Sequence, residues 1–234
     1  SDFSSVPRPR SIVLKVYEND RQPVVVKLAR SHKMKREIEK YRNFIDGHLV
    51  GNYKPSMQET AILWDIGGVI YSYIGDFNVR PFCRYFETEP IEKIEKGLRL
   101  FYKELWSDLY SKKAEQRDVS LFDLYCDVWD RDWYDKRVIN FRCPDPAQLM
   151  GNDFWEKIQS PDPIEWLKTK IGENPQQDAS RTEKTFIAVT HGDLHGDNLM
   201  IDENQNVWVI DFERSGSGHA LQDFIELESD VISR

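Results

Sequence analysis

The sequence predicts an α+β fold in two lobes, a small strand-rich lobe over residues 1–75 and a larger, mainly helical lobe over 76–234. Three observations lead there. The first 75 residues alternate β-branched runs with a single amphipathic stretch. From Pro81 to about residue 180 the apolar residues recur mostly at helical spacing. Beyond Glu183 short β-branched runs return, separated by turn residues.

Residues 1–10 are polar, carry Pro7 and Pro9, and read as loop. Ser11–Tyr17 alternates and is a strand, and Glu18–Arg21 is a turn. Val24–Ala29 is a second strand, antiparallel to the first. His32–Ile45 follows as a helix, with Met34, Ile38, Tyr41, Phe44 and Ile45 at helical spacing and Gly47 and Gly51 to end it. Strands near Glu59–Trp64 and Val69–Ile74 are expected to join at Gly67-Gly68. In the second lobe, Ile91–Leu109, Leu121–Trp133 and the shorter Pro163–Ile171 are helix candidates. Residues 173–183 form a polar loop, then come strands at Thr185–Val189, Leu199–Ile201 and Val207–Ile210. A last helix covers His219–Ile232.

Composition narrows the class. The chain has 234 residues, enough to bury a core without staples. The formal charge of −8 argues against a nucleic-acid or anionic-membrane partner. Cys83, Cys126 and Cys143 are too widely spaced for a zinc ribbon or a disulfide framework and read as buried thiols. The most apolar window, Ala61–Ile74, is interrupted by Asp65 and too short for a membrane span. With no signal segment at the start, the expected compartment is cytoplasmic.

The chemistry concentrates in His191-Gly192-Asp193-Leu194-His195-Gly196-Asp197-Asn198, directly after a strand. Asp211 follows within Ile210-Asp211-Phe212-Glu213, at the end of the next hairpin. Two strand–turn–strand segments bring Asp193, Asn198 and Asp211 to one end of a small sheet. A carboxylate and an amide with a second carboxylate across the hairpin make a hard-oxygen site suited to Mg²⁺. The other carboxylate can accept a proton from a hydroxyl nucleophile. Lys27 stands among Val24, Val25, Val26 and Leu28. It either snorkels to the rim or neutralises a buried anion, and Glu37, ten residues on, can pair with it.

HGDxxxxN followed by IDFE resembles the aminoglycoside phosphotransferase and choline kinase family, which has the protein-kinase-like fold. The likeness runs in order from about residue 11 to the end. It implies ATP and Mg²⁺ as cofactors and a hydroxyl of a small molecule as acceptor. Asp193 then corresponds to the catalytic base or the group that orients the acceptor hydroxyl, and His191 orders its loop. Asn198 and Asp211 correspond to the Mg²⁺ ligands. Lys27 matches the phosphate-contacting strand lysine and Glu37 its helix partner, with Glu39 as fallback. Tyr71–Asp76 corresponds to the hinge that meets adenine.

The family's glycine-bearing nucleotide loop has its place taken by Asp2-Phe3-Ser4-Ser5, without glycine, and the chain stops 23 residues after Asp211. Those departures read as a fragment or reduced variant, joined to other domains of a larger chain. They support a competing reading, a catalytically weak kinase-like binding or scaffold module. Gly192–Gly196 also resembles the GDxHG motif of calcineurin-like phosphoesterases, but the later motifs that fold needs do not follow. A zinc site on His191, Asp193 and His195 has no third histidine or cysteine nearby except His219.

Asp123, Asp127, Asp130, Asp132 and Asp135 read as a solvated helix face, with a pocket for a cationic acceptor as the alternative. Trp129, Trp133 and Tyr134 read as core, with a cage for a quaternary amine as the alternative. Asp223 resembles a recurrent family aspartate, or simply stabilises the start of the last helix.

Overall fold

The computed structural model describes residues 11–17, 22–49, 53–75, 78–111, 114–120, 124–125 and 182–233. Its contacts form two compact units, one of residues 1–115 with 187–234 and one of residues 116–186. The helix expected at 163–171, all but residues 124–125 of the helix expected at 121–133, the Asp2–Ser5 loop, Cys126, Cys143, Asp76, Asp123 and the acidic and aromatic residues of 126–135 lie outside the described residues.

In the first unit, β1 (Ser11–Val16), β2 (Val24–Arg30), β3 (Met57–Leu63) and β4 (Ile66–Ser72) form an antiparallel sheet in the order β1-β2-β4-β3. Helix α1 (Ser31–Lys40) leaves β2 directly and continues through a π-type turn, Tyr41–Ile45. Met34, Ile38, Tyr41 and Ile45 recur every three or four residues and are all buried, so one stripe of the helix lies on the sheet. Gly47, with φ of 76°, takes the left-handed backbone just past the helix.

The expected joint at Gly67-Gly68 is corrected by the register. Leu63 pairs with Ile66, so the hairpin turns at Trp64-Asp65, and Trp64 adopts a φ of 51°. Both glycines stand inside β4 for a packing reason. A Cβ on Gly67 would come within 2.5 Å of the Met34 Cβ, so its bare backbone lets α1 rest on the sheet.

Further along, β5 (Arg80–Pro81), β8 (Leu199–Ile201) and β9 (Val207–Val209) form a small antiparallel sheet in the order β5-β8-β9. Its hairpin is shaped by Asp202, whose Oδ1 accepts the Asn206 N–H at 2.8 Å and whose Oδ2 accepts the Asn206 amide at 2.8 Å. A third sheet has the order β10-β7-β6, from β6 (Glu115–Val119), β7 (Glu183–Thr190) and β10 (Gly216–His219).

The stretch expected as one helix over 91–109 is divided. After α2 (Phe82–Thr88), α3 (Ile91–Arg99) runs into a π-type turn, Leu100–Leu105, and breaks at Trp106 before α4 (Ser107–Ser111). Trp106 is fully buried and its indole N–H donates to the Val189 carbonyl at 2.9 Å, which fixes the break. Helix α5 (Gln222–Ile232) closes the described chain. Phe82, Phe101, Trp106, Leu194, Leu199 and Phe212 lie within one apolar core that also takes in Met34, Ile38 and Val69. No helix among the described residues is long and apolar enough to cross a membrane.

Candidate active site

The β8–β9 hairpin sets the frame. Asn198 immediately precedes β8 and Asp211 closely follows β9, so antiparallel pairing puts them at one end. The Ile210 N–H donates to the Asn198 carbonyl at 3.0 Å and continues the ladder to that end. Asp211 then takes a φ of 65°, a left-handed conformation that aspartate tolerates better than most non-glycine residues.

Its carboxylate meets Lys27. Register places Lys27 opposite the fully buried Val69, on the face of the sheet that carries α1. There its ammonium lies 2.8 Å from Asp211 Oδ1 and 2.8 Å from Glu37 Oε2. Lys27 therefore neutralises a buried anion, Glu37, the second of its two sequence alternatives, and pairs as well with the part-exposed Asp211. Glu37 is the partner and not Glu39, because Glu37 is fully buried on the packed face of α1 and Glu39 is exposed.

Electrostatics follow from this geometry. Burial disfavours the charge on Lys27, but the two carboxylates outweigh it and raise its pKa. Burial likewise opposes the charge on Asp211, yet Lys27 holds that carboxyl below its usual range. Glu37, enclosed completely, is pushed upward by burial, which Lys27 only partly offsets.

Asp193 lies in the loop after β7, and its Oδ1 pairs with the Arg214 guanidinium at 3.3 Å. Gly192 makes that approach possible. It has a φ of 78°, and a Cβ there would stand 2.5 Å from the Arg214 carbonyl oxygen. The Asn198 amide donates to the Asp193 carbonyl at 2.8 Å, which leaves its Oδ1 as the oxygen for a cation. One amide oxygen and one carboxylate beside an ammonium are hard donors, and they fit Mg²⁺ shared with a phosphate. Among the described residues no three His, Cys, Asp or Glu side chains converge on a point, so the zinc alternative finds no site there.

His191 is fully buried and edge-on to Trp106 and Phe212. Its Nε2 lies 2.9 Å from the Ile210 carbonyl, and an N–H must therefore be on Nε2. The ring ties the Asp193 loop to the Asp211 segment. Asp223 is also fully buried and accepts the N–H groups of His191 at 2.8 Å and Gly192 at 2.9 Å. The hydroxyl of Tyr110 donates to it as well, at 2.6 Å.

Two site residues escaped the sequence reading. Tyr71, assigned there to the hinge, belongs to β4 and donates its hydroxyl to Glu37 Oε1 at 2.8 Å. Arg214 carried no motif of its own. Its only signal was its place three residues after Asp211.

Comparison with known proteins bears on the fold. A family described as Ternary complex associated domain 9 matches residues 142–234. No curated protein matches the chain in sequence. Among solved structures, aminoglycoside phosphotransferase APH(3'')-Id from Streptomyces rimosus is 15% identical with a TM-score of 0.55, over 97% of this chain and 77% of that one. The same enzyme in complex with ADP and streptomycin aligns with a TM-score of 0.52 at 15% identity, over 90% of this chain and 72% of that one. The AMP-bound complex of spectinomycin phosphotransferase APH(9)-Ia aligns with a TM-score of 0.52 at 12% identity, over 91% of this chain and 65% of that one. At such identities the likeness concerns the fold alone, which the chain shares with these phosphotransferases.

Proposed function

We propose that the chain is an ATP- and Mg²⁺-dependent phosphotransferase that moves the γ-phosphoryl group to a hydroxyl of a small molecule. The observation that carries this reading is Lys27, held 2.8 Å from both Glu37 and Asp211 at the end of the hairpin that also bears Asn198. A buried lysine paired with two carboxylates, in a chain that also presents the part-exposed Asp193 carboxylate, is what phosphate handling needs and a passive scaffold does not. Residues 1–75 act as the nucleotide-binding lobe and 76–234 as the helical lobe with the catalytic hairpins. The expected compartment is the cytoplasm. Solved structures that share this fold are small-molecule phosphotransferases, one in complex with ADP and streptomycin and one with AMP.

Lys27, fixed by Glu37 and Tyr71, meets phosphate oxygens of the nucleotide. Asn198 Oδ1 and the Asp211 carboxylate would hold Mg²⁺, which supplies neutralisation of phosphate charge. The acceptor hydroxyl oxygen forms a bond to the γ-phosphorus while the bond to the ADP oxygen breaks. Its proton passes to the Asp193 carboxylate, which Arg214 orients through Oδ1. His191 and Asp223 position this loop and touch no reacting atom. Catalysis is then positioning and charge neutralisation.

The test is product analysis. The chain is incubated with ATP, Mg²⁺ and a panel of amino alcohols and aminoglycosides, and phosphoester is followed by phosphorus NMR. ADP and one phosphoester are expected in equal amounts. Asp193→Ala is expected to lower turnover by about 10²–10⁴. ATP binding without transfer to any acceptor would favour the scaffold reading.

A further inference from the structure

We propose that Glu226 and Asp230 are positioning residues, which together with Asp223 clamp the backbone of the Asp193 loop onto helix α5. The inference rests on the functional reading above only for its catalytic consequence. Asp223, Glu226 and Asp230 stand at i, i+3 and i+7 of α5 and so share one face. Each accepts backbone N–H groups of the loop. Asp223 takes those of His191 and Gly192, Glu226 Oε2 takes that of Leu194 at 2.8 Å, and Asp230 Oδ2 takes that of Gly196 at 2.8 Å.

The match has a geometric cause. One helical turn rises about 5.4 Å. Carboxylates about one turn apart along α5 therefore reach successive points of the loop, here the amides of residues 192, 194 and 196, while the left-handed Gly192 lets the adjacent amides of 191 and 192 both meet Asp223.

Glu226 is fixed in turn. Its Oε1 accepts the Gln222 side-chain amide at 2.9 Å. Gly196 is held from the other side, where the Cys83 N–H donates to its carbonyl at 3.2 Å. A Cβ on Gly196 would also meet Cys83 at 2.9 Å and Asp230 Oδ2 at 3.1 Å, so the loop has no room to shift there. Three acidic residues facing a loop that carries Asp193 would repel it, unless their oxygens were occupied by donors. The four N–H bonds supply those donors.

The test measures the loop before it measures catalysis. Amide hydrogen exchange is followed in the full chain for wild type, Glu226→Met, Glu226→Gln, Asp230→Ala and Asp230→Asn. Methionine keeps the stem of Glu226 without an acceptor, whereas glutamine and asparagine retain one. Exchange at Leu194 should speed up about tenfold in Glu226→Met, as loss of a charge-assisted hydrogen bond implies, and stay near wild type in Glu226→Gln. Gly196 should respond in the same way to Asp230→Ala and Asp230→Asn. Core amides of β4 should be unchanged. With a phosphoryl acceptor in hand, Glu226→Met should lower kcat by roughly 10- to 100-fold with the nucleotide KM unchanged, and Glu226→Gln should restore it. Unchanged exchange in Glu226→Met, or equal acceleration in Glu226→Gln, would overturn the clamp. If wild type transfers no phosphate, the functional reading fails while the exchange measurement still decides the clamp.

Discussion

Lys27 carries two carboxylates on one ammonium, and the balance among the three decides how the site responds to pH. Asp211, held below its ordinary value of 3.8 by Lys27, adds stability that is present above that value and lost as pH falls through the depressed one. Glu37, raised above 4.5 by burial, has the opposite sign, and its contribution declines as pH rises from 4.5 through the raised value. Denaturant unfolding measured from pH 3 to 7 should therefore show a shallower acid loss in Asp211→Asn and a flatter rise-side decline in Glu37→Gln. The Asp211 effect is the smaller, because its side chain is 38% exposed. Tyr71→Phe removes the hydroxyl that fixes Glu37 and should cost about 1.5–3 kcal/mol of stability, read by the same unfolding curves. A lysine in an apolar strand with a glutamate ten residues on is a visible pattern, so this pair was legible in the sequence. Tyr71 was not, because which way a strand residue points depends on register, and register is a tertiary property.

At the scale of elements, the fold depends on a helix lying close to a sheet. The stripe Met34, Ile38, Tyr41 and Ile45 announced α1, and its buried face is the one expected. The glycines of β4 were read as a turn because glycine pairs usually mark one. Here Gly67 instead makes room for Met34. Gly67→Val should destabilise the chain by about 1–3 kcal/mol in denaturant unfolding, since the Met34 contact leaves no space for a side chain. Gly47→Ala meets no atom within 4 Å and should show only the smaller penalty of a left-handed backbone. Strands β5 and β10 escaped the sequence reading. One has two residues, and the other, Gly216–His219, has no apolar alternation, so only pairing with β8 and β7 makes them strands. The break at Trp106 was hidden for a similar reason, because the Val189 carbonyl that fixes it is 83 positions away.

Across the whole chain, the site joins residues from distant segments. Lys27 and Asp211 are 184 positions apart and meet within one compact unit. That separation explains what could be read beforehand. HGDxxxxN and IDFE are local, so the loop and the hairpin end were legible, and the structure places Asn198 and Asp211 at one end as the spacing implied. Asp223 was visible by resemblance, but the Arg214–Asp193 pair, Glu226 and Asp230 had no local signature, because their partners are backbone groups and a carboxylate in another segment. The central claim is that the Lys27 triad and Asn198 form a nucleotide and Mg²⁺ site. It is tested most directly by isothermal titration of ATP into the folded chain, with Mg²⁺ and with EDTA, in wild type and Asp211→Ala. Saturable binding in Mg²⁺, lost in EDTA and lost in Asp211→Ala, is the predicted result. Equal affinity with and without Mg²⁺, or no binding to a chain shown to be folded, would contradict it.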